Sequence, residues 1–164
     1  MDKRRYEQVV HYFKTDKTAN TWLKIIYRWL PMLLFAAYPL LLVCAFFAMP
    51  HKLLRLTLVP LGVLIFVTVL RILINEQRPY ERYQIASVFD KQTKGKSMPS
   101  RHTACAFIIA MSFLSVSIPI GSILLAIALL IALSRVLAGA HYLRDVIAGG
   151  LISVTAGILF FFIF

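Results

Sequence analysis

The chain has 164 residues, 60% of them hydrophobic, and its apolar residues fall in runs long enough to cross a bilayer as helices. This composition indicates an integral membrane protein of one domain, residues 1–164, and argues against a disulfide framework, because both cysteines lie inside apolar runs. The net charge of +11 is divided among the N-terminal segment, one loop and several helix ends, which favours contact with the lipid bilayer and argues against nucleic acid binding.

Residues 1–28 alternate basic and apolar side chains, a pattern typical of an amphipathic segment that lies in the headgroup region. A cleavable signal peptide is the alternative. It is the weaker interpretation, because the charged region is too long and no short apolar core with a cleavage site follows it. Asn20 or Thr21 is expected to cap a helix that begins near Trp22, and Trp22, Tyr27 and Trp29 are expected in the interfacial aromatic belt.

Five apolar stretches follow, and they predict spanning helices over residues 30–49, 53–75, 102–118, 122–138 and 142–164. Residues 76–98 form the only long polar loop, in which residues 80–89 predict a short interfacial helix. The expected fold class is all-α: a polytopic membrane helix bundle of about five transmembrane helices plus the N-terminal amphipathic segment. Five crossings bring three polar clusters to one side of the membrane, next to the loop.

The first cluster contains Arg71 and Arg78, at the end of the second predicted helix. Their separation of seven residues predicts one helical face, with the two side chains two turns apart. Two guanidiniums that point the same way can bind the oxygens of one phosphate. Alternatively, the two arginines only anchor the helix end among the headgroups.

The second cluster is Ser100, Arg101 and His102, at the start of the third predicted helix. A helix N-terminus is an anion site, because its first N–H groups lack partners and the dipole is positive there, and the Ser100 hydroxyl can contribute. Alternatively, Ser100 is simply an N-cap and His102 is an interfacial histidine.

The third cluster is Arg135, His141 and Asp145, within SRVLAGAHYLRD at residues 134–145. Charge inside an apolar segment is costly and usually faces a polar cavity where it functions. On a helix, residues four apart share a face, so the carboxylate can hold one imidazole nitrogen and leave the other free to attack. A purely structural hydrogen bond is the alternative.

The joint pattern, R-x6-RP, then PSxH, then SRx5Hx3D, closely resembles the signature of the type 2 phosphatidic acid phosphatase superfamily, which also includes vanadium haloperoxidases and bacterial acid phosphatases. The motifs span residues 71–145, nearly half the chain. Two residues depart from the family pattern: Arg71 occupies a position that is usually Lys, and Arg101 one that is usually Gly. The count of five helices also differs from the six of many membrane members.

The resemblance implies a metal-independent lipid phosphate phosphatase without a cofactor. His141 would be the nucleophile, oriented by Asp145, and His102 would protonate the leaving oxygen. The phosphate would be held by Arg71, Arg78, Ser100 and Arg135, with Arg101 beside the pocket. Phosphatidylglycerophosphate, phosphatidic acid and undecaprenyl diphosphate all fit such a site. The alternatives are a non-catalytic protein that binds or transports anionic lipid, and a vanadate-dependent haloperoxidase. Oligomeric state stays open.

The expected location is a cell membrane, crossed several times, with the bacterial plasma membrane as the favoured one. Of the 18 Lys and Arg residues, only Lys52 and Arg55 fall on the side opposite the motifs. The positive-inside rule therefore favours a cytoplasmic site. Many membrane relatives work on the outer face instead, and arginines recruited for catalysis weaken the rule, so both orientations stay open.

Overall fold

A computed structural model describes residues 2–164 and contains helices but no strand within that range. In chain order the helices are α1 (Lys3–Thr15), α2 (Lys17–Ala48), α3 (Pro50–Ile74), α4 (Pro79–Tyr83), α5 (Arg101–Leu114), α6 (Ile118–Leu137) and α7 (Leu143–Ile158). The chain then continues from α7 into a π-helical turn, Leu159–Ile163. The prediction of an all-α membrane bundle is confirmed.

Four segments among the described residues are long and apolar enough to cross a membrane: Lys17–Ala48, Pro50–Tyr83, Ile118–Leu137 and Leu143–Ile163. The remaining predicted span corresponds to α5, which has 14 residues. At about 1.5 Å per residue α5 is about 21 Å long, which is shorter than a hydrocarbon core of about 30 Å. Helix α5 by itself therefore does not span the full depth of the hydrocarbon core.

Helix α5 occupies the centre of the bundle and packs against α2, α3, α6 and α7. Small residues on α5, such as Ala104, Ala106 and Ala110, are fully buried and let the neighbouring backbones come close. A Cβ at Gly149 of α7 would lie 2.7 Å from the Ser100 carbonyl oxygen, so only glycine allows this approach. The tight contact joins the start of α5 to the first turns of α7.

The N-terminal segment differs from its prediction in detail. It divides into α1 and the first turns of α2, because Asp16 ends α1 and caps α2 by accepting a hydrogen bond from the Ala19 N–H. The expected caps, Asn20 and Thr21, instead lie inside α2. The Asn20 side chain donates to the Phe13 carbonyl, which ties the two helices together. The first long helix thus begins at residue 17, well before residue 30.

Helix α1 packs over the polar loop and the end of α6. Its Tyr6 side chain is fully buried, and the hydroxyl donates to the carbonyl oxygens of Ile85 and Gly139, at 3.2 and 3.3 Å. Gly139 has φ of +70°, and a Cβ there would come within 2.8 Å of the Tyr6 ring. Helix α1 therefore holds the turn that joins α6 to α7.

Candidate active site

His141 and Asp145 lie where α6 gives way to α7, and their side chains meet. His141 Nδ1 is 3.4 Å from Asp145 Oδ2, and both residues are buried. The prediction that they share one helical face is wrong, because α6 ends at Leu137 and α7 begins only at Leu143. His141 lies in the turn after Gly139, so the turn and the first residues of α7 together bring the pair into contact.

The Asp145 carboxylate is the centre of a small network. Oδ2 also accepts hydrogen bonds from Ser97 Oγ at 2.5 Å and from the Tyr142 N–H at 3.0 Å. The Asp145 carbonyl oxygen accepts from the Ser100 N–H at 2.9 Å. One aspartate thus joins the polar loop, the start of α5 and the turn that contains His141. Ser97 was missed in the sequence, because it belongs to none of the three motifs.

Burial decides the protonation state of His141. Its removal from water lowers the pKa of His141 to about 4, although the hydrogen bond to Asp145 opposes this shift. The imidazole is therefore neutral at pH 7. Its Nδ1 faces the carboxylate and its Nε2 has no hydrogen-bond partner among residues 2–164, which leaves a lone pair for attack.

Arg71 and Arg78 are both buried and both reach the polar loop. Arg71 Nη1 donates to the Pro99 carbonyl at 2.7 Å. Arg78 donates from Nε to the Gly95 carbonyl at 3.1 Å and from Nη1 to the Ala140 carbonyl at 3.4 Å. These bonds orient one guanidinium beside the start of α5 and the other beside His141.

The prediction that the two arginines share one helical face is wrong. Helix α3 ends at Ile74, Asn75 adopts a left-handed conformation, and Arg78 is the N-cap of α4. The proline at position 79 disfavours a helical conformation at Arg78, which explains the break. The arginines therefore converge through a turn of the chain.

Ser100 is the N-cap residue of α5, as predicted, but its side chain makes no capping bond. Its hydroxyl oxygen instead accepts a hydrogen bond from Thr103 Oγ1 at 3.0 Å. The first N–H groups of α5 are therefore not occupied by their own N-cap, which suits an anion. Arg101, the next residue, is exposed, whereas His102 is half-buried.

Arg135 lies in the last turn of α6 against Tyr27 of α2. Its guanidinium carbon is 3.9 Å from the centre of the Tyr27 ring, and Nη2 donates to the Tyr27 carbonyl at 3.0 Å. Nε is buried and has no partner among the described residues. Tyr27 had been assigned to the interfacial belt, because nothing in the sequence relates it to a residue 108 positions away.

His102 and Arg135 line a cavity of about 470 Å³ between α2, the polar loop, α5 and α6. A larger groove of about 840 Å³ lies between α3 and α7, but it contains none of the predicted site residues. No group of three or more His, Cys, Asp or Glu residues that could hold a metal ion occurs among residues 2–164. The side chains at the site are mainly arginine and histidine, which suit an anion.

Comparisons with known proteins identify a family and a similar fold. A family model for the PAP2 superfamily matches residues 52–164. The fold is similar to the crystal structure of Aquifex aeolicus LpxE, with a TM-score of 0.74 and 24% identity over 95% of this chain and 92% of that one. No curated protein matches the chain. Since the family model covers more than half of the sequence, the chain belongs to the PAP2 superfamily, and this membership supports a lipid phosphatase that works in a membrane.

Proposed function

We propose that the protein removes the terminal phosphate of a membrane lipid through a phosphohistidine on His141. The observation that carries this proposal is the neutral, buried His141, whose Nδ1 faces Asp145 while Arg78 donates to the carbonyl of the preceding residue. A nucleophile of this kind needs a free lone pair, a partner for the cation that forms, and nearby positive charge for the phosphate.

In the first step Nε2 of His141 attacks phosphorus, and the bond between phosphorus and the leaving lipid oxygen breaks. His102, in the imidazolium form that the negative charge of the bound phosphate stabilises, donates a proton to that oxygen and becomes neutral. In the second step His102 takes a proton from water, the resulting hydroxide attacks the phosphohistidine, and inorganic phosphate leaves. Asp145 stabilises the imidazolium that exists between the two steps.

The arginines stabilise the transferring group. Arg71, Arg78 and Arg135 carry positive charge in a buried setting, where interactions with phosphate oxygens are stronger than in water. The uncapped N-terminus of α5 and the Ser100 hydroxyl supply further donors. Backbone carbonyls hold all three guanidiniums in place, so little reorganisation is needed when charge spreads over the oxygens.

The lipid tails have a place next to the phosphate site. Phe35 of α2 lines both the cavity beside His102 and an apolar groove of about 390 Å³ between α2, α3 and α5. A lipid can therefore keep its headgroup at the start of α5 while its tails lie among helices. This arrangement supports entry of the substrate from the bilayer.

The test is release of inorganic phosphate by the purified protein from a panel of lipids in detergent or liposomes. Phosphatidylglycerophosphate, phosphatidic acid and undecaprenyl diphosphate form the panel, since each presents a terminal phosphate. Release from at least one of them is expected. A folded protein that binds these lipids without releasing phosphate would be a lipid-binding or transport protein, contrary to the proposal.

For location we propose a multi-pass protein of the bacterial plasma membrane whose site faces the cytoplasm, because the basic residues cluster on the motif side. The test replaces Cys44 and Cys105, introduces one cysteine at the exposed Thr93, and treats intact cells with a membrane-impermeant maleimide. Protection until lysis is expected. Labelling of intact cells would place the site outside and favour a substrate of the outer leaflet.

A further inference from the structure

The cavity beside His102 carries an excess of positive charge. Lys24, Arg28 and Lys91, here called the rim cations, line this cavity together with Arg135. The residues that line it include no Asp or Glu. At neutral pH the cavity wall therefore carries four positive charges and no negative charge to balance them.

The rim cations also form no salt bridge with an acidic residue of the described range, 2–164. The ion pairs among residues 2–164 are Lys14–Asp90, Arg144–Glu76 and His141–Asp145. None of them includes a rim cation, although two of these pairs involve basic residues on the same side of the membrane. Nε of the buried Arg135, at the base of the cavity, is unpartnered as well. Cations left unpaired around one cavity indicate that the ligand brings the counter-charge.

The rim cations adjoin the phosphate site. Lys24 and Arg28 are one helical turn apart on α2, on either side of the position of Tyr27. The Lys91 ammonium lies 5.6 Å from the centre of the Tyr27 ring, and the Arg135 guanidinium lies 3.9 Å from it. A single aromatic ring thus connects the mouth of the cavity to the arginine that holds the transferring phosphate.

We infer that the rim cations bind a second phosphate of the substrate, next to the phosphate that is removed. This inference rests on the proposed function. A terminal phosphate carries a charge of about −2 at neutral pH, which the three positive charges of Arg71, Arg78 and Arg135 already exceed. The preferred substrate class is therefore a lipid with a diphosphate, or with a phosphodiester beside its terminal phosphate, and not a simple monophosphate.

The first experiment compares diacylglycerol diphosphate with phosphatidic acid of the same acyl chains, in neutral detergent. The measured quantity is the ratio of kcat/KM for the two lipids. We expect Lys24→Gln, Arg28→Gln or Lys91→Gln to lower this ratio about tenfold, as for loss of one hydrogen bond between charged groups. Lys94→Gln is the matched control, since Lys94 is exposed in the same loop and does not line the cavity. An unchanged ratio in the rim variants overturns the inference.

A second arm separates a substrate phosphate from the headgroups of bulk lipid. The same assays are repeated in phosphatidylcholine vesicles with and without phosphatidylglycerol. We expect the loss of selectivity in both kinds of vesicle. If the rim variants lose activity equally on both substrates, and only in vesicles that contain phosphatidylglycerol, the rim cations bind the membrane surface and the inference is wrong.

Binding of the two anions can also be measured in a protein that does not turn over substrate. Inorganic diphosphate and orthophosphate are titrated calorimetrically into the His141→Ala protein, with and without Lys24→Gln. We expect Lys24→Gln to weaken diphosphate binding about tenfold more than orthophosphate binding. Equal effects on the two anions would overturn the inference about the rim cations and would leave the proposed function unaffected. Absence of phosphate release from every lipid by the unmodified protein contradicts the proposed function instead.

Discussion

The molecule divides into two regions that contribute differently to the site. Residues 52–164, which the family model matches, contain every side chain predicted from the sequence to act on phosphate. Residues 2–51 contain none of these side chains, yet they contact Gly139, two residues before His141, and the guanidinium of Arg135. Tyr6 bonds to Gly139 in the turn that contains His141, and Tyr27 holds Arg135. The residues of the three sequence clusters and the N-terminal contacts that position them thus lie in different parts of the chain.

The two regions also pack in different ways. In the matched region α5 is buried on most of its surface by the surrounding helices. Helix α1 buries only Tyr6 and Val10, and its other side chains are largely exposed. Most of α1 can therefore vary without effect on the site, whereas the residues that touch Gly139 and Arg135 cannot. Variants in the two regions test this division, and the largest effect is expected at His141.

Replacement of His141 by alanine removes the proposed nucleophile, which lies in the matched region. We expect the rate of phosphate release to fall by at least about a thousandfold, because the covalent step is lost. The measurement is kcat on the best lipid of the panel, with helical content checked by circular dichroism. His11→Ala is the control, since His11 is an exposed residue of α1. A folded His141→Ala protein with nearly normal turnover would show that the nucleophile lies elsewhere.

Ser97→Ala tests a buried contact in the matched region that is not part of a sequence motif. The change removes the hydroxyl that donates to Asp145 Oδ2 and leaves the carboxylate with fewer hydrogen bonds. We expect kcat to fall about tenfold with a smaller change in KM. Ser122→Ala, on the exposed start of α6, serves as the control. Identical kinetics in the two variants would show that the Ser97 hydroxyl does not contribute to the function of Asp145.

Tyr6→Phe tests whether the N-terminal region stabilises the turn that contains Gly139 and His141. The substitution keeps the ring that packs against Gly139 and removes only the hydroxyl that donates to Ile85 and Gly139. We expect a loss of about 1 kcal/mol in unfolding free energy and a few-fold fall in kcat. Thermal unfolding in detergent and steady-state kinetics measure the two effects. Tyr12→Phe, at a 54% exposed position of the same helix, should change neither.

Chelation is expected to have the smallest effect. A pair of catalytic cations needs several carboxylates close together, and no group of three or more His, Cys, Asp or Glu residues that could hold a metal ion occurs among residues 2–164. Phosphate release should be unchanged by EDTA, and vanadate should inhibit by occupying the phosphate site. Complete loss of activity with EDTA that magnesium restores would contradict the mechanism.

The sequence predicted the helical fold because apolar runs are a local property of the chain. It also led to the three clusters, since Arg71, Ser100 and His141 stand out as polar residues at the ends of apolar segments. Its errors are equally local. The His141–Asp145 pair and the two arginines were each expected on one helical face, whereas His141 lies in the turn before α7 and the Arg78–Pro79 step lies beyond the end of α3. Periodicity reports spacing along a helix and carries no information once the helix ends.

Only the tertiary structure revealed the partners that lie far apart in the sequence. Ser97 is 48 residues from Asp145, and Tyr27 is 108 residues from Arg135. Hydrophobic patterning determined which segments become helices, because an apolar segment in a bilayer must satisfy all its backbone hydrogen bonds internally. Which side chains meet depended on how α1 and α2 pack over the loop and α6, and that arrangement arises from contacts between segments that no local pattern encodes.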